Sequence, residues 1–117
     1  MAKTSYLTAL RDNLKVLDMP IYWKLPKPAI EEPFIVIGYG RGNTMPSAKI
    51  NRAIRDDMQQ VDIFLSADVG RVAAENIQSR AIEAIGKTRY TDTEMLVDDT
   101  VGREVYHIVI KIYNFIF

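Results

Sequence analysis

The residues whose types could do chemistry are the run Gly38-Tyr39-Gly40-Arg41-Gly42, the carboxylate pairs Asp56-Asp57 and Asp98-Asp99, the single histidine His107, and the cations Arg41, Lys49, Arg52 and Arg55. The glycine run has the composition of a phosphate cradle, in which backbone N–H groups wrap an anion where a helix begins. No helical pattern opens after Gly42 and no Gly-Lys-Ser/Thr follows it. Glycines that ease a twisted strand into its connection explain the run better. Asp98 and Asp99 could ligate a cation, yet neighbours on an extended chain point to opposite sides, and an acidic pair ahead of a strand is ordinary turn chemistry. His107 has no second histidine or cysteine to share a metal with, and no serine or carboxylate at a motif spacing. It reads as a residue of a strand surface. Asp56-Asp57 beside Arg52 and Arg55 form a solvated charge cluster sooner than an acid/base pair. The pattern assembles no active site; no enzyme activity, cofactor or metal is expected.

The basic segment is the polar feature that remains. Arg41, Lys49, Arg52 and Arg55 occur without an acid between them, a composition suited to phosphates or to an acidic protein surface, and equally to a solvated loop. No aromatic residue lies between these cations, so they offer no stacking platform for single-stranded nucleic acid. Across the chain, 15 Lys and Arg balance 15 Asp and Glu, which removes any global field toward nucleic acid or an anionic membrane. Cysteine is absent, which excludes disulfides and thiol chemistry and fits a reducing compartment. Apolar runs are short and Met1-Ala2-Lys3-Thr4-Ser5 leads into no signal-peptide core, so a soluble intracellular product is expected. At 117 residues, one domain, 1–117, accounts for the chain.

The elements that must position these residues are organised around the end of the sequence. From Glu104 to Phe117 the chain is rich in β-branched and aromatic residues and free of proline and glycine, which predicts one long strand. Alternation puts Tyr106, Ile108, Ile110, Ile112, Asn114 and Ile116 on one face, the core face. Val105, His107, Val109, Lys111, Tyr113, Phe115 and Phe117 share the other. Upstream, Leu7, Leu10, Leu14 and Leu17 line one face of a helix over 5–18, stopped by Pro20. Residues 21–24 read as a short strand, 25–33 as a stiff connector with three prolines, and 34–40 as a strand covered on both sides. Residues 58–65 form the next strand, with Val61, Ile63 and Leu65 inward and Gln60, Asp62 and Phe64 outward. The two make a hairpin with a long basic loop between Arg41 and Arg55. Asp68 is placed to cap a second helix, Gly86 to end it, and residues 94–97 form a strand that turns at 98–102 into the last.

The expected fold is α+β: an antiparallel sheet of about four to five strands with two helices packed on one face. Two helices close one sheet face and leave the other, with Phe64, Tyr113 and Phe115, without cover from a helix. An aromatic terminus at Phe117 fits the same surplus, since exposed chain ends otherwise fray. Phe64, Tyr113, Phe115 and Phe117 are therefore the expected oligomer interface, and Arg41, Lys49, Arg52 and Arg55 the expected partner contact.

With these elements placed, the chain resembles the tail-completion or tail-terminator proteins of long-tailed bacteriophages, a head-tail joining family. The resemblance rests on the leading helix, the Ile21-Tyr22, Pro33-Phe34-Ile35-Val36 and Val61-Asp62-Ile63-Phe64 strands, Asp68 to Ile77 leading the second helix, and Arg103 to Ile110 in the last strand. It covers nearly the whole chain as a pattern of elements. It implies an α+β fold, a ring, typically a hexamer, at the head-proximal end of the tail, and a stop to tail-tube polymerisation. The implied partners are further copies of the chain, the tail-tube protein and a head-completion or connector protein. DNA would pass only as cargo through the lumen, no membrane would be involved, and the location would be the virion, after assembly in the host cytoplasm. Two other classes compete: a small ligand-binding regulatory domain that dimerises through its sheet, and a small hydrolase using Asp98, Asp99 and His107.

Overall fold

The computed structural model describes residues 2–25, 31–38, 40–41, 44–47, 52–86, 90–98 and 104–116; for 2–6, 41, 44–47, 52–57, 90, 98 and 114–116 it describes the backbone alone. Helix α1 spans Ala2–Leu14 and tightens into a 3-10 turn over Lys15–Leu17. Asp18 closes it with φ 58 and ψ 45, a left-handed conformation that Asp tolerates better than most residues, and its N–H donates to the Lys15 carbonyl. Strand β1 (Ile21–Tyr22) and β2 (Phe34–Val36) follow. Then come β3 (Gly40–Arg41), β4 (Thr44–Ser47) and β5 (Arg52–Ser66). A 3-10 turn over Ala67–Val69 leads to α2 (Arg71–Ile85), and β6 (Tyr90–Asp98) and β7 (Val105–Ile116) complete the chain.

The fold is α+β, with five strands side by side in the order β1-β2-β5-β7-β6. Strands β2, β3 and β4 are successive pieces of one course along the same flank of β5, facing residues 62–64, 58–59 and 52–55 in turn. All pairings are antiparallel except β1 with β2, which makes the sheet mixed. The connection after β1 is too long for a tight hairpin, and β2 runs beside β1 in the same direction. The Ile35 and Ile37 N–H groups donate to the Pro20 and Tyr22 carbonyls, both at 2.8 Å.

The connection expected as a loop between Arg41 and Arg55 is mostly ladder. Thr44 pairs with Arg55 and Ser47 with Arg52, so the hairpin is an arm whose strands continue outward from the body. At 15 residues β5 spans about 50 Å at the usual rise per residue, close to the 53 Å longest dimension of the molecule. Strand β6 likewise extends beyond the expected 94–97, because Tyr90 to Asp98 all find partners on β7.

Both helices lie on the predicted face. Leu10, Leu14 and Leu17 of the first helical segment and Ala74, Ala81 and Ile85 of α2 pack with Val61, Ile63, Leu65, Ile108, Ile110 and Ile112 in one buried cluster. The start of α2 departs from expectation: Ser66 caps the 3-10 turn by accepting from the Asp68 N–H, and Gly70 precedes the helix. Asp68 is thus a capped residue rather than a cap. Gly86 ends the helix with φ 114, a backbone state that favours glycine, and its N–H donates to the Ile82 carbonyl.

These observations give two expected outcomes in urea unfolding. Leu14→Ala should cost about 2–5 kcal/mol, while Val16→Ala, two residues away but exposed, should stay within about 0.5 kcal/mol. A Cβ at Gly86 would meet nothing within 4 Å, yet the positive φ remains. Gly86→Ala should therefore destabilise by about 1–3 kcal/mol for conformational reasons alone; an unchanged midpoint would show that the helix end relaxes freely.

Candidate interaction surface

The second sheet face is built by the residues that alternate away from the helices. On it, register places Phe34, Phe64, His107 and Leu96 side by side across β2, β5, β7 and β6. The rings of Phe34 and Phe64 stack at 4.9 Å and 24°, and Phe64 and His107 at 4.3 Å and 20°. Tyr22 meets Phe34 edge-on at 6.1 Å. Val36 and Val105 join this cluster, so the face has a small core of its own.

One row further along sits Asp62, the one buried polar side chain among the described residues. Its carboxylate is well supplied with donors. His107 Nε2 lies 2.8 Å from Oδ1, and Gln60 Nε2 donates to Oδ1 at 3.0 Å and to Oδ2 at 3.1 Å. A carboxylate only accepts, so Nε2 is the protonated nitrogen of the imidazole in this contact. The pair does not have a hydrolytic triad's arrangement, because Asp62 takes His107 Nε2, the nitrogen that faces the nucleophile in a triad, and Ser66, in phase with Asp62 on β5, accepts at its Oγ from the Asp68 N–H at 3.2 Å. The pair satisfies a buried charge and orients a ring in the aromatic row.

Register locates most of the residues singled out in the sequence. Phe64 is buried within its own chain, stacked between Phe34 and His107. Tyr113 is half-buried on the same face opposite Met58, and Phe115 follows on β7 opposite Asp56. Arg41 lies on β3 opposite Met58, and Arg52 and Arg55 lie on the outer part of β5. Lys49, Asp99 and Phe117 fall outside the described residues, and Asp98 ends β6. No group of three or more His, Asp or Glu that could hold a metal occurs among the described residues. None of the described helices is long and apolar enough to cross a membrane.

The Asp62-His107 pair was not legible in the sequence. The contact is diagonal across β5 and β7, since Asp62 faces Val109 and His107 faces Phe64, and only the register brings the two together. A hint was present: Asp62 is the one acid in an otherwise apolar 61–65.

At its outer end the same face becomes acidic. Asp92 and Glu94 of β6 are exposed and line a shallow recess with Thr93, Val109 and Lys111. Among the described residues, strand β6 is paired on one side only.

No family model matches the sequence, and no curated protein does. Among solved structures, the fold is similar to that of a chain in the virion of a native gene transfer agent particle. The two superpose with a TM-score of 0.60, covering 91% of each chain at 10% sequence identity. At that identity the likeness is one of fold, and it extends over nearly all of both chains.

Removing His107 leaves the Asp62 carboxylate with fewer donors. His107→Ala should cost about 1–3 kcal/mol in urea unfolding, and a cycle with Asp62→Ala should show a coupling of about 0.5–3 kcal/mol. Additive losses would mean that the pair contributes nothing beyond its separate side chains.

Proposed function

We propose that this protein is a non-enzymatic virion assembly protein that closes into a ring at the head-proximal end of a phage-type tail, terminates the tail tube and offers the head-joining surface. The observation that carries the reading is the arm. The helical layer is centred on residues 61–65 and 106–112, while β4, the first part of β5 and the end of β7 run on beyond that stretch as a narrow ribbon. Ribbons of two or three strands are marginal in water and gain stability from whatever packs on them. Its sequence carries Met45, Ile54, Phe115 and Ile116, side chains suited to a protein neighbour. The shared fold with a gene transfer agent virion chain supports the same class of role, as does the resemblance to tail-terminator proteins.

In this mechanism the chemistry is geometric. Contacts between unlike surfaces of successive copies close into a ring. One ring face matches the end of the growing tube, and the other lacks the surface that would accept a further tube layer. Further copies of the chain, a tube subunit and a connector protein are the partners, and DNA crosses the lumen as cargo.

Native mass spectrometry and negative-stain electron microscopy should show a ring, six-membered by the family resemblance, alone or capping purified tubes. A variant with residues 43–56 replaced by Asn-Gly should keep the cooperative unfolding of the body and lose assembly. Rings of unchanged size from that variant would remove the arm from the interface, and a strict monomer with and without tubes would overturn the function.

A further inference from the structure

The free edge of the sheet and the arm are oppositely charged, and they are different surfaces of one molecule. Strand β6 ends the strand order, with β7 on one side and no described strand on the other. Its nine residues carry Asp92, Glu94 and Asp98 and no cation. Asp92 and Glu94 are exposed on the face away from the helices, and neither makes an ion pair among the described residues. Leu96 and Val97 on the same strand are exposed at 44% and 64%. An edge that is long, apolar in part and unpaired is a template for another chain. The arm has the reverse character over most of its length: from Arg41 to Arg55 the sequence holds four cations and no acid, and Asp56 and Asp57 follow only at its base.

We infer that the edge of β6 in one copy receives the basic arm of the next copy. The inference rests on the assembly reading above and names the two surfaces that meet. Charge decides the occupant: an acidic edge repels a second acidic edge, which disfavours the symmetric edge-to-edge dimer, and attracts the arm. Because the two patches are unlike, the contact is heterologous, and repeated heterologous contacts give a ring where the rotation closes and a filament where it does not. A self-complementary sheet dimer needs one patch that matches itself, and this edge is not such a patch.

The test is a charge exchange on the full chain. Asp92→Lys with Glu94→Lys disables the edge, and Arg52→Glu with Arg55→Glu disables the arm. Each pair alone should weaken assembly by roughly 100-fold or more in native mass spectrometry and light scattering. Mixed one to one, the two variants should co-assemble by strict alternation, since the native arm of one meets the native edge of the other and the reversed arm meets the reversed edge. All four substitutions in one chain should restore the wild-type assembly. Circular dichroism checks folding, and the milder pair Asp92→Asn with Glu94→Gln serves if the reversals unfold the chain, with a smaller loss expected. Wild-type rings from either reversed variant would overturn the edge-to-arm contact while leaving assembly on another surface. A wild-type chain that stays monomeric would instead overturn the assembly reading itself.

Discussion

The ladder between β5 and β7 is the constraint from which the rest of the molecule follows. It runs without interruption from Arg55 opposite Ile116 to Ser66 opposite Val105. An unbroken register fixes which side chains share a face over the whole length, because a slip of one residue would invert every one of them. On the helix side this gathers Val61, Ile63, Leu65, Ile108, Ile110 and Ile112 into the main core. On the other it aligns Phe34, Phe64 and His107 in a stack and sets Asp62 within reach of His107. The same ladder, continued past the helices, becomes the arm.

The two faces are stabilised differently. The helix side is a broad aliphatic core in which burial alone suffices. The second face combines ring stacking with a buried carboxylate that must keep its donors, so it tolerates less variation at fewer positions. A polar network of this kind is weak evidence for stability and better evidence for a fixed arrangement. Here it locks β5 to β7 beside the place where the sheet passes from closed core to open surface, at the row that ends in the exposed Leu96.

Much of the fold was legible because its signals are periodic. The leucines at 10, 14 and 17, the isoleucines at 108, 110 and 112, and Gly86 at the helix end each carry a local physical reason that the structure preserves. What was illegible depends on partners distant in sequence. Residues 44–47 and 52–55 have no alternation strong enough to announce a strand, and they become one because β5 already lies paired with β7 and extends its edge to them. The parallel step between β1 and β2 is likewise a pairing that no local pattern reports. For the candidate surface, the residue types were visible and their grouping was not: Phe64 was recognisable as turned away from the helices, but its burial depends on Phe34 and His107 lying in the same row.

A ring demands that the angle between two contact surfaces be constant from one copy to the next, and a sheet is well suited to hold it. The acidic edge and the basic arm are separated by the β6-β7 and β7-β5 pairings alone, with no hinge between them. Each pairing rotates one strand against the next by about 20–25°, in a fixed hand set by backbone sterics. The relative orientation of edge and arm is therefore a property of the ladder rather than of a loop. A docking surface carried on a flexible connection would allow rings of several sizes and open filaments. In the proposed ring, a surface carried on β5 ties the rotation per copy to the ladder rather than to a loop.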